Sequence, residues 1–412
     1  MDICLATLLL VAYSRRVSRS NMDGPDSLAT PKPMLRLATL SLFGTLFVWL
    51  SGMARGGDFR WSLWQVNAVL YLPIVFYLFQ QGLRGPQDFP ALAKIVIGAA
   101  VARALFARWI YYRYTVLIEG YDNPPMLPYA TSHHDSMLFA AGFVLVIAIV
   151  FEKTYKGAKK LLFLLPLLAL GMKANNRRMV WVQVGAALAT IYFVSPDNRF
   201  KKTARRVVIG ASPLAAIYAL VGWNSGSRIF RPVQMMKSVV DAKSDASSFW
   251  RELENYDLIM TLRSHFFLGS GYGHQYEEIV ILPSIPYDLE RYLPHNSILG
   301  LWAFCGYFGY TAMTLLWAAG VYFGIRAYHL GKEPIQRAAG LATFAAVLIY
   351  LVQCWGDMGL GTWTGVYLVG PALAVAGKLA AASGEWSKKS PNATADRSPR
   401  TPDGVPDAEQ AA

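Results

Sequence analysis

Residues 288–317 read DLERYLPHNSILGLWAFCGYFGYTAMTLLW. Two acids and an arginine lead into Pro294-His295-Asn296, and the chain then becomes a long apolar run dotted with glycines. A polar segment ending at the lip of such a run describes a membrane helix entered from a water-facing loop. Pro294 disfavours helix ahead of it, so the helix starts after it. That puts His295 at the water–membrane boundary.

The rest of the chain agrees. Of its 412 residues, 54% are hydrophobic and 16% charged, where soluble domains carry about 25% charged residues. Apolar runs close to the ~20 residues a bilayer demands fall near 35–53, 61–80, 90–107, 136–151, 161–174, 178–194, 206–223, 306–325, 338–355 and 362–380. An earlier stretch, Asp2 to Tyr13, is short, and its arginines follow it in SRRVSRS. That order argues against a cleaved signal peptide and suits a weak first helix. The expected fold class is all-α: a polytopic membrane protein of about eleven transmembrane helices with one large helical periplasmic loop.

Basic residues orient the spans. The links SRRVSRS with KPMLR, QGLRGPQDFP, EKTYKGAKK, DNRFKKTARR and IRAYHLGKEPIQR all fall on one face under strict alternation, which the positive-inside rule makes cytoplasmic. The net charge of +13 therefore belongs to topology, and no nucleic acid partner is expected. The organisation reads as a weak first helix and basic link (1–34), an N-terminal bundle (35–223), a periplasmic loop (224–295), C-terminal helices (296–380) and a tail (381–412). The tail is rich in Pro, Ser and Asp and is expected to be disordered. The loop, about seventy residues, exceeds ordinary connection lengths, and loops of that size carry function.

The outer face holds many arginines: Arg177, Arg178, Arg228, Arg231, Arg251, Arg263 and Arg291. Arg177 and Arg178 stand where two apolar runs meet with hardly any loop. Snorkelling would explain a lone arginine there, whereas a pair facing further arginines points to an anionic ligand. Their forked donors suit phosphate oxygens. Gly269-Ser270-Gly271-Tyr272-Gly273 lacks the strand and lysine of a nucleotide loop and reads as a tight turn with close backbone packing. His133-His134-Asp135 reads as an interfacial helix start, with Ser132 or Asp135 as its cap. Glu254, three residues after Arg251, reads as its ion-pair partner. Cys4, Cys305 and Cys354 lie in apolar context without metal-ligand spacing, so neither a disulfide nor a metal site is expected. His295 is the candidate general base, since an imidazole at that boundary can take a proton from an attacking hydroxyl.

Three stretches in order resemble the O-antigen ligase/O-antigen polymerase superfamily of bacterial inner-membrane glycosyltransferases. They are NNRRMVWVQVGAALA, then FWRELENYDLIMTLRSHFFLGSGYG, then HNSILGLWAFCGYFGYTAM, together covering about 175 to 320. The family's first motif usually has a single arginine after a serine, so Arg177 and Arg178 both remain candidates here. The resemblance implies an undecaprenyl-diphosphate-linked oligosaccharide as donor, without cofactor, metal or nucleotide sugar, and a site facing the periplasm. Arg251 with Arg177 or Arg178 would hold the lipid diphosphate, His295 would orient or deprotonate the acceptor hydroxyl, and Arg263 and Arg291 are secondary candidates. Membrane lipids, a chain-length regulator and a flippase are the implied partners. The wording of the second and third motifs looks most like exopolysaccharide polymerases, with O-antigen ligase as the alternative. A lipid-linked sugar transporter is an alternative of another class, though no matching pair of Gly/Pro-broken helices supports it.

Overall fold

The computed structural model describes residues 28, 31–117, 131–197, 199–230, 246–282 and 288–383, together with 233, 234 and 237. The first apolar stretch with Cys4, Arg231 and the tail from 384 lie outside them. Among the described residues the regular structure is entirely helical. The helices are α1 (Lys32–Ala54), α2 (Phe59–Gly82), α3 (Phe89–Leu117), α4 (Asp135–Phe151), α5 (Leu164–Asn175), α6 (Met179–Val194), α7 (Arg199–Gly222), α8 (Ala246–Ser264), α9 (Ser297–Leu330), α10 (Pro334–Gly356) and α11 (Trp363–Ala382).

Seven of these are long and apolar enough to cross a membrane: α1, α2, α3, α7, α9, α10 and α11. Helices α4 and α6 are apolar but shorter, at 17 and 16 residues. The run at 161–174, expected as a full span, is instead a 3-10 turn (Ala158–Phe163) followed by the 12 residues of α5. Pro166 is the reason, because it has no N–H to bond back to Leu162 and is tolerated only in a first helical turn. Outward faces are apolar. Phe43, Phe47 and Leu50 on α1, and Leu214 and Leu220 on α7, are more than half exposed. Such surfaces aggregate in water and are covered by acyl chains in a bilayer. Inner contacts use small residues: a Cβ on Gly340 of α10 would fall 2.7 Å from the carbonyl oxygen of Gly324 on α9.

Contacts between helix ends fall into two groups. In one, Arg337 meets Glu152 at 2.6 Å, and Lys378 Nζ donates to the carbonyl of Leu28. The other gathers the end of α1, the starts of α2, α4, α6, α9 and α11, the end of α10, and α8.

Helix α9 is broken at Gly306, whose φ of 62° and ψ of −176° only glycine adopts readily. The backbone groups released there are not left bare. Ser270 and Gly271 N–H donate to the carbonyls of Ala303 and Phe304 at 3.0 and 2.9 Å, and Tyr307 N–H donates to Phe266 at 2.8 Å. The glycine turn after α8 thus plugs the break. Gly269, Gly271 and Gly273 all have positive φ, and a Cβ on Gly271 would lie 2.5 Å from the Cα of Gly52 on α1. Gln65 of α2 accepts from Gly273 N–H and donates to the carbonyls of His274 and Tyr292. Arg55 Nη1 donates to the Gly269 carbonyl at 2.8 Å. The turn is a structural clasp, since the N–H groups a phosphate would need are already bonded.

Gly306→Ala should therefore cost more than about 2 kcal/mol of stability, and the added Cβ would sit 2.3 Å from Gly269 N. Gly98→Ala on α3, where nothing lies within 4 Å, is the matched control. Melting temperatures of the two purified variants check this, and equal melting would contradict the clasp.

Candidate active site

Helix α8 presents Trp250, Arg251 and Glu254 within one turn, and a clamp of buried acids holds it in place. Asp257 Oδ1 accepts the N–H groups of Ile279 and Val280 at 3.1 and 3.0 Å, and Thr261 Oγ1 accepts that of Glu277 at 2.8 Å. The returning chain is thereby wrapped around the helix, and Glu254 is buried against the start of α9. Its carboxylate accepts the backbone N–H of His295 at 3.2 and 3.1 Å and meets the imidazole Nδ1 at 3.3 Å. The side chain of Glu254 is 0% exposed and that of His295 18%. Trp250 stands edge-on to the imidazole with ring centroids 4.9 Å apart. The expected i, i+3 pairing of Arg251 with Glu254 is replaced: Glu254 serves His295, and Arg251 turns to Asp357. A local spacing rule for helices gave way to tertiary partners.

Asp357 caps the end of α10. Its Oδ2 receives His133 Nδ1 at 2.8 Å, and its Oδ1 lies 3.7 Å from Arg251 Nη2. The far nitrogen of His133, Nε2, is met by Arg177 Nη2. A guanidinium only donates, so Nε2 is the acceptor and Nδ1–H is the donor to Asp357. Burial on its own would raise the Asp357 carboxyl. The hydrogen bond from His133 and the guanidiniums of Arg251 and Arg177 outweigh burial and hold it down at about 2. Met358 N–H then donates to the His295 carbonyl at 2.8 Å. The segment after α10 thus joins the Asp357 cluster to the Glu254–His295 pair.

The NNRR segment divides its labour residue by residue. Asn175 is buried, accepting from Thr131 Oγ1 and donating to Ser136 Oγ, each at 2.9 Å. Asn176 takes the left-handed conformation that ends α5. Arg177 reaches His133, while Arg178 stands half-buried at the N-cap of α6. Arg177 belongs to the hydrogen-bonded cluster.

The secondary candidates lie elsewhere. Arg263 is exposed in the last turn of α8, and Arg291 pairs with Glu278 at 2.6 Å. His133 lies in the turn that leads into helix α4, as its helix-start reading has it, and is also central to the arginine cluster; Asp357 is not among the residues that the sequence singles out. Helix α4 does begin at Asp135, but no side chain caps it. Asp135 accepts the Ser132 N–H at 3.1 Å and binds Arg103 of α3 at 3.0 Å. Cys305 and Cys354 are free and buried. Among the described residues no group of three or more His, Cys, Asp or Glu side chains is placed to hold a metal ion. A scan against protein-family models gives no match to this chain, and neither does a search of curated proteins.

Burial, above all, holds His134 down at about 4 against an ordinary 6.5. The unfolded chain takes up this proton near 6.5 and the folded one only near 4. Stability from this group is thus complete above 6.5 and lost as pH falls towards 4. The melting temperature should drop across that window, and a His134→Asn variant should drop less. Parallel curves for the two proteins would contradict this.

Proposed function

We propose that the chain is a bacterial inner-membrane polysaccharide polymerase, a glycosyltransferase that joins undecaprenyl-diphosphate-linked repeat units on the periplasmic face. One observation carries the reading: a buried carboxylate holds one imidazole nitrogen of His295, and two arginines gather at the His133–Asp357 pair, next to the Met358 whose N–H bonds the His295 carbonyl. Glu254 fixes His295 with Nδ1–H towards the carboxylate, which leaves the Nε2 lone pair for a substrate proton. Arg251 and Arg177 supply forked donors for the diphosphate and stabilise charge as it leaves. The acceptor oxygen bonds to the anomeric carbon as the bond from that carbon to the phosphate oxygen breaks. The bonding pair departs on the diphosphate, and the hydroxyl proton goes to His295 Nε2.

Polymerase is preferred to ligase on the wording of the GSGYG and PHNSILGLW stretches. A transporter would need an open site at a broken helix, whereas the break in α9 is filled by backbone from the glycine turn. The full set of about eleven spans, the periplasmic placement of the long loop and the inner-membrane location belong to this proposal and rest on the distribution of basic residues.

A strain lacking the gene should retain single repeat units and lack long chains. Long glycan accumulating on the carrier above a bare lipid A-core would overturn polymerase in favour of ligase. In a complemented strain, His295→Ala and His295→Gln should both lose about 10²–10⁴-fold in chain assembly at normal membrane levels. An active glutamine variant would remove the base role. Reporter fusions at Lys159 and Arg206 should read cytoplasmic and those at Ser244 and Tyr287 periplasmic, and a cytoplasmic Ser244 would sink the assigned site.

A further inference from the structure

We infer that His133, with Asp357 behind it, is a positioning residue that sets Arg177 and Arg251 as a single cradle for a prenyl-linked diphosphate. The inference deepens the proposed function and rests on it for the ligand class. The links form one chain: Arg177 Nη2 to His133 Nε2, His133 Nδ1 to Asp357 Oδ2 at 2.8 Å, and Asp357 Oδ1 to Arg251 Nη2 at 3.7 Å. Every link has a fixed direction. The arginine only donates and the carboxylate only accepts, so the imidazole between them must be neutral and protonated on Nδ1. Few side chains can accept at one end and donate at the other across that span.

The charge balance explains why a carboxylate belongs there. Two guanidiniums brought together unaided repel each other, and one shared anion between them leaves a net positive charge. That residue of charge attracts a phosphate while the arginines stay aligned. Arg251 is also incompletely used, because among the described residues its buried Nε meets no hydrogen-bond acceptor. A buried donor left open costs free energy until a ligand meets it. The chain is anchored from outside as well. Gln353 donates to the Asp357 carbonyl at 2.8 Å and accepts from Gln183 of α6 at 2.5 Å. Helices α4, α6, α8 and α10 are thus tied to one residue, Asp357, through its carboxylate and its backbone carbonyl. The sequence separations, 44 residues from His133 to Arg177 and 224 to Asp357, mean that only the fold assembles it.

The test uses the full-length protein in detergent and farnesyl diphosphate as the probe, with inorganic diphosphate as competitor, read by calorimetry. Five variants are compared: Arg177→Ala, His133→Gln, His133→Phe, Asp357→Ala and the double variant His133→Phe/Asp357→Ala. Glutamine carries an acceptor and a donor and can bridge Arg177 to Asp357, whereas phenylalanine keeps the ring and loses both. Affinity should be within about threefold of wild type for His133→Gln and at least tenfold weaker for His133→Phe and Asp357→Ala. The double variant His133→Phe/Asp357→Ala should be no weaker than either single one, because both break the same relay. A merely packed ring would reverse the order, with phenylalanine better than glutamine, and that result overturns the inference. It is also overturned if Arg177→Ala loses the probe while all three His133 and Asp357 variants keep it. Wild-type protein that binds no probe, with Arg177→Ala unchanged, rejects the diphosphate reading itself and the inference with it.

Discussion

The interaction on which the structure depends is the insertion of Phe266–Gly271 into the break of α9 at Gly306. A helix cannot simply stop and restart among apolar neighbours, since each bare N–H or C=O there costs several kcal/mol. Backbone from Phe266, Ser270 and Gly271 supplies the missing partners of Ala303, Phe304 and Tyr307 at 2.8 to 3.0 Å. Because the plug follows α8 within a few residues, α8 cannot lie elsewhere. Its Trp250, Arg251 and Glu254 are delivered to the short first half of α9, which begins two residues after His295. A glycine conformation and a few backbone hydrogen bonds therefore decide where the chemistry sits.

Two carboxylates at this face have different duties, set by what surrounds them. Glu254 is wholly enclosed, binds both the backbone and the ring of His295, and so orients the proposed base. Asp357 lies among cations that keep it charged far below the usual carboxylate range, and it acts as the common counterion of the arginines. The two histidines diverge in the same way. His133 has both ring nitrogens committed, to Asp357 and Arg177, whereas His295 has one held by Glu254 and the other suited to exchange a proton.

Much of this was legible in the sequence, and the reasons are local. Helix existence follows from the length of apolar runs, and the place of His295 follows from Pro294 at a polar-to-apolar boundary. Arg177 and Arg178 stand out because charge where two apolar runs meet is costly. The missed features depend on distant partners. Nothing near TSHHDSM says that His133 will meet an aspartate 224 residues later. Gly306 is one glycine among several in its run, and its special backbone is evident only beside the turn that plugs it. The spacing rule that pairs Glu254 with Arg251 holds for isolated helices and yields here to tertiary partners. Pro166 was visible at 161–174, but overall apolarity concealed its effect on the helix start.

The most direct measurement is a turnover assay with purified protein in nanodiscs, given an undecaprenyl-diphosphate-linked repeat unit as donor and acceptor, with chelator and without nucleotide sugar. The account predicts release of undecaprenyl diphosphate in step with lengthening glycan, and loss of both with His295→Ala while the donor stays bound. Intact donor after incubation with wild-type protein that is folded and binds it would contradict the account.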